Sequence, residues 1–125
     1  MHSAQLLDHF QNPRNVGELP PPAVTVEVSN PICGDILRLS VQFADDRATA
    51  ARYLTRGCTA SIAAGSALTE WITGKTRAEL SAVNAGMVEN AVGGLIPESK
   101  HAAVLCVDAV KAVLKAAKDD HRTRT

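Results

Sequence analysis

Aromatic side chains are scarce in this chain of 125 residues, which has one Trp, one Tyr and two Phe. A core must therefore be built mainly from Val, Leu, Ile and Ala. Net charge is also missing: Lys plus Arg and Asp plus Glu both number 13, so no overall field recruits nucleic acid or an acidic surface. Long apolar runs are absent. The longest near-apolar stretch, 102–107, is far too short to span a bilayer, and Met1-His2-Ser3-Ala4-Gln5 lacks a basic segment followed by an apolar one. These features point to a soluble, cytoplasmic protein with neither a membrane nor a nucleic acid as partner. Cysteine is sparse and odd in number, at three, which argues against a disulfide framework and for metal or thiol chemistry in a reducing compartment. The length suits one domain, 1–125, and there is no internal repeat.

The hydrophobic pattern predicts an α+β fold: a small three-stranded antiparallel sheet with helices packed on one face, an N-terminal helix and a long C-terminal helix. Ser3 caps a helix over 3–10, with Leu6, Leu7 and Phe10 at helical spacing, and Asn12-Pro13 stops it. Pro20-Pro21-Pro22 is a stiff connector. Val24, Val26 and Val28 then alternate with Thr25 and Glu27 as a first strand. Leu37, Leu39, Val41 and Phe43 alternate with Arg38, Ser40 and Gln42 as a second. A turn at 44–47 returns the chain along a third strand over 48–55. A helix over 58–73 is rich in small residues that allow close approach to the sheet, with Gly74 as its stop. Thr76 and Glu79 read as a capping box for a further helix. Residues 84–97 read as less regular, the last helix spans 98–118, and 119–125 is a polar tail.

Two stretches carry chemistry. In Asn30-Pro31-Ile32-Cys33-Gly34-Asp35, Cys33 and Asp35 are two residues apart, so in an extended segment their side chains leave the backbone on one side and can share an ion. In Gly57-Cys58, the thiol stands at a strand-to-helix junction, where the positive end of the helix dipole favours a thiolate. Antiparallel pairing brings the end of the third strand to the start of the second, so Cys33, Asp35 and Cys58 can meet. His101, in the first turn of the last helix, is the fourth candidate. Two thiolates, a carboxylate and an imidazole complete a tetrahedral shell for zinc or supply four ligands to a two-iron cluster. On a helical wheel, Cys106 falls with Ala103, Val110, Val113 and Ala117, opposite Asp108, Lys111, Lys115 and Lys118, and reads as a core cysteine.

At these residues the chain resembles the IscU/NifU/SufU family of iron-sulfur cluster assembly scaffold proteins, over about 8–118. The matching pieces are Asp8-His9-Phe10-Gln11-Asn12-Pro13-Arg14-Asn15-Val16-Gly17, the 30–35 stretch, Gly57-Cys58 with Ala60-Ser61-Ile62-Ala63, and Leu68-Thr69-Glu70-Trp71-Ile72-Thr73-Gly74-Lys75. The resemblance implies a solvent-accessible metal site at one end of a small sheet. It also implies a non-enzymatic role: holding a transient [2Fe-2S] cluster, made with sulfur from a cysteine desulfurase, and passing it to acceptor apo-proteins. Cys33, Asp35 and Cys58 match the family's first cysteine, aspartate and second cysteine, and His101 its histidine. Ala102 stands where the third cysteine, the position most implicated in receiving persulfide sulfur, is expected. Pairing Cys106 with that cysteine would instead put a ligand in the middle of the apolar stripe. Leu95-Ile96-Pro97-Glu98-Ser99-Lys100 partly matches the Leu-Pro-Pro-Val-Lys pattern that an Hsp70-type chaperone system reads. Two other readings are a zinc-binding, SufU-like sulfur-relay protein and a degenerate member acting as an interaction module.

Overall fold

The computed structural model describes residues 2–31 and 34–124, with side chains as far as residue 117. Three strands, β1 (Val24–Ser29), β2 (Ile36–Ala44) and β3 (Arg47–Arg56), form one antiparallel sheet in the order β1-β2-β3. The alternation read from the sequence sets the faces. Leu37, Leu39 and Val41 are buried on one side of β2, while Arg38 is exposed on the other. The β2–β3 turn places Asp45 at φ 57, a left-handed conformation that Asp tolerates better than most residues. Ile36 pairs with Arg56, so residues 35 and 57 emerge side by side at one end of the sheet. That register is what positions the site.

Five α-helices complete the described chain: α1 (Ala4–Gln11), α2 (Thr59–Ile72), α3 (Arg77–Ser81), α4 (Ala85–Ala91) and α5 (His101–Arg124). Their starts follow local chemistry. The Ser3 side chain accepts from the Leu6 N–H, Thr76 and Glu79 make the full capping box, and Asn84 caps α4. Two expectations are corrected. The stretch expected to be irregular contains α4, because Asn84 supplies a cap that the flanking glycines obscured. The last helix begins at His101 rather than 98, since Pro97–Ser99 forms a separate 3-10 turn with Pro at its start. Its backbone also continues to Arg124 through the expected tail, where no Gly or Pro interrupts it. Among the described residues, no helix is long and apolar enough to cross a membrane.

The core lies between the inner face of the sheet and helices α2 and α5. On α5, Ala103, Cys106, Val110, Val113 and Ala117 are all buried and Asp108, Lys111 and Lys115 exposed, as the wheel reading expects. Tyr53 of β3 is the largest fully buried side chain, and its hydroxyl donates to the Ile62 carbonyl at 2.8 Å. The small residues of α2 make room for it: a Cβ on Gly65 would lie 2.5 Å from Tyr53 Cδ2. Gly65→Ala should therefore destabilise the fold by about 1–3 kcal/mol despite the better helix propensity of Ala, because the ring is pinned and cannot yield. Urea unfolding of the variant checks this, and an unchanged midpoint would contradict the packing argument.

The stretch from Asp8 to Gly17 works as a clasp. Ser66 of α2 accepts the Arg14 backbone N–H at 2.9 Å and lies 2.7 Å from His9 Nδ1. Arg14 Nη1, which can only donate, is 3.1 Å from the same Nδ1, so this nitrogen is the acceptor and the His9 proton sits on Nε2, 3.6 Å from Glu70 Oε1. The chain then runs beside β3, exchanging Tyr53 N–H to Asn15 O at 2.9 Å and Gly17 N–H to Tyr53 O at 2.8 Å. Burial, with the Arg14 charge beside it, pushes the His9 pKa below its ordinary value of 6.5, against the pull of Glu70 and Asp8. Below pH 6.5 the unfolded chain thus takes up a proton that the folded chain resists. This contribution is complete above that pH and is lost as pH falls from there through the folded value. Stability measured between about pH 7.5 and 5.5 should decline on the acid side, and His9→Gln should flatten the decline. Equal slopes in both proteins would rule His9 out as the cause.

Candidate metal centre

The 30–35 loop joins β1 to β2 and is tied at its base. Asn30 N–H donates to the Asp35 carbonyl and Gly34 N–H to the Asn30 carbonyl, each at 2.8 Å. Gly34 has φ +77, a conformation that favours glycine, and β2 begins only at Ile36. Gly34 is therefore not in the extended conformation in which Cys33 and Asp35 were read as leaving the backbone on one side. Cys33 itself lies outside the described residues.

Asp35, Cys58 and His101 converge. Each offers one ligand atom, and these atoms lie within 4.8 Å of one another. His101 Nε2 is 3.1 Å from Asp35 Oδ2 and 3.7 Å from Cys58 Sγ. Both neighbours thus face the same ring nitrogen. A nucleophile relay would instead place the carboxylate on the opposite nitrogen from the thiol, so the geometry is that of donors gathered around a common point. The donor set combines a soft sulfur, an imidazole nitrogen and a hard carboxylate oxygen, which fits zinc or iron. Cys58 is exposed, His101 half-buried and Asp35 buried, so the centre opens to solvent on its thiol side.

Helix α2 organises the centre. Cys58 is its N-cap residue, yet makes no side-chain cap hydrogen bond. Asp35 grips the helix start from outside: Ser61 Oγ, in the first turn of α2, donates to its Oδ2 at 2.5 Å. Gly57 leaves space for the carboxylate, since a Cβ there would lie 2.8 Å from Asp35 Cγ. Burial opposes ionisation of Asp35, but the hydrogen bonds of Ser61 and His101, the His101 charge and the Cys58 N–H together hold its carboxyl below the ordinary carboxylate value. Ser61 is the residue that the sequence reading missed as part of the centre. Its signal was the three-residue spacing from Cys58 at a helix start, which puts both side chains on one face.

Neither candidate for a third family cysteine joins the group. Ala102 is 1% exposed and contributes no donor. Cys106 is buried, and its burial pushes the thiol up to about 12, which leaves it protonated and unsuited to binding metal.

Residues 1–123 match the family described as NifU-like N terminal domain. The chain belongs to this family. Its relatives include the iron-sulfur cluster assembly scaffold protein IscU 1 of Archaeoglobus fulgidus, 37% identical over 114 residues that make up 91% of this chain and 74% of that protein. The IscU scaffold protein of Azotobacter vinelandii is 35% identical over 118 residues, 91% of each chain. In fold, this NifU-like domain is similar to the crystal structure of FiSufU from Fervidobacterium islandicum AW-1, with a TM-score of 0.74, 22% identity, and coverage of 90% of this chain and 96% of that one. It is also similar to the N-terminal NifU-like protein of Brucella abortus, with a TM-score of 0.63, 21% identity, and coverage of 96% and 91%. At these identities the two structures speak for the fold alone, and they agree with the three-stranded sheet and its helices.

Proposed function

We propose that this NifU-like protein is an iron-sulfur cluster assembly scaffold. The observation that carries this reading is the convergence of Asp35, Cys58 and His101 at a solvent-open end of the sheet, and Cys33, two positions before Asp35 in the sequence, would be the fourth donor. The cluster, as a [2Fe-2S] unit, is cargo rather than a resident cofactor. Sulfur would come from a cysteine desulfurase, and acceptor apo-proteins would take the product, so the protein turns over no substrate of its own. The shared His101 nitrogen supports this non-enzymatic role over nucleophilic catalysis. An Hsp70-type chaperone system would act on 95–100, where Pro97, Glu98 and Lys100 are exposed.

A specific observation favours a second reading. With Ala102 and Cys106 out of the centre, only two cysteines remain to supply thiolates, and two thiolates, an imidazole and a carboxylate make a closed set for zinc. The protein would then be a zinc-binding relay of the SufU type. Anaerobic purification followed by metal and sulfide analysis and a visible spectrum separates the two. Iron and acid-labile sulfide in a coloured protein support the scaffold, and zinc alone in a colourless protein supports the relay. A protein that takes up neither, even on reconstitution, would refute both.

A further inference from the structure

Ser61 has one proton and two neighbours that could receive it. Asp35 Oδ2 is 2.5 Å away and charged, whereas Cys58 Sγ is 3.5 Å away and a weak acceptor, so the proton goes to the carboxylate. The hydroxyl is 4% exposed with its residue and sits at the third position of α2, where no solvent replaces its hydrogen bond. Across from it, Gly57 offers the carboxylate a bare Cα. Asp35 is therefore gripped on a rigid helix start rather than carried by its own loop alone.

We infer that Ser61 is the positioning residue of the metal centre, setting its affinity by fixing the Asp35 carboxylate beside Cys58 and His101. This rests on the metal-binding reading above and deepens it. Outer hydrogen bonds to ligands of this kind are worth about 10–100-fold in metal affinity. Removing the hydroxyl leaves Asp35, Cys58 and His101 in the chain and lets the carboxylate turn away from the point where Sγ and Nε2 converge.

Co2+ serves as probe, because binding through thiolate is read in its absorption spectrum without any activity assay. Ser61→Ala should bind Co2+ about 10–100-fold more weakly than the unaltered protein, with the thiolate bands retained at saturation. Ser61→Thr, which keeps the hydroxyl, should restore affinity. In an Asp35→Ala background the same Ser61→Ala change should have no further effect, because its route to the metal has been removed. Should the Ala variant fail to fold, Ser61→Val against Ser61→Thr repeats the comparison at matched shape, differing in the hydroxyl. Affinity within twofold of the unaltered protein, or an equal loss with and without Asp35, overturns the positioning role and leaves the metal site standing. Failure of the unaltered protein to bind Co2+ overturns both.

Discussion

Cys58→Ser should lose metal almost completely while the metal-free fold stays as stable as before. The two halves of this expectation come from the same position. Cys58 is exposed and its side chain makes no cap hydrogen bond to α2, so its removal falls among surface changes worth within about 0.5 kcal/mol. Its Sγ is nevertheless one of the converging ligand atoms, and a neutral hydroxyl is a poor substitute for thiolate toward zinc or iron. The loss in Zn2+ or Co2+ affinity should exceed the roughly 100-fold that outer hydrogen bonds can reach. Metal titration and thermal unfolding of the metal-free protein measure the two separately. Retained affinity would remove Cys58 from the centre, and a large fall in stability would show that the thiol serves packing instead.

Asp35→Ala has the opposite character, because this carboxylate serves the fold and the metal centre at once. Without metal it receives the Ser61 hydroxyl at the start of α2, and deleting it leaves that buried donor without its partner. The metal-free variant should be less stable by about 1–3 kcal/mol. A single divalent ion should also bind more weakly, having lost one of its ligands. A reconstituted cluster should be lost more slowly to a chelator, since a hard carboxylate suits a soft iron-sulfide core less well than thiolate does and makes the bound unit labile. Timing the decay of visible absorbance under anaerobic conditions reads this. Faster decay in the variant would mean that Asp35 simply retains the cluster, and its part in release would have to be withdrawn.

Much of this arrangement was legible in the sequence because it rests on short-range rules. Alternating valines and leucines fixed the faces of β1 and β2, the turn at 44–47 fixed the hairpin, and from these follows the Ile36–Arg56 pairing that brings Asp35 to Gly57. The caps Ser3 and Thr76 were readable for the same reason. What was not legible depends on tertiary context. The left-handed backbone of Gly34 departs from the extended conformation read there. The caps of α4 and the 3-10 turn before α5 were hidden among glycines and a proline. Ser61 looked like one small residue among several on α2, and only the approach of Asp35 across the sheet end gives its hydroxyl a task. The stretch 8–17 was readable only as a piece that resembles the family, and it is the structure that shows its histidine fastening α1 to Ser66.

Asp35 and His101 stand 66 positions apart, with Cys58 between them on a third element. No contiguous fragment therefore reproduces the centre: a peptide covering 30–61 would keep Cys33, Asp35 and Cys58 but lack the imidazole and the helix that delivers it. The centre is a property of the assembled domain, so any opening that parts α5 from the end of the sheet takes His101 away from Asp35 and Cys58 even while both stay in place.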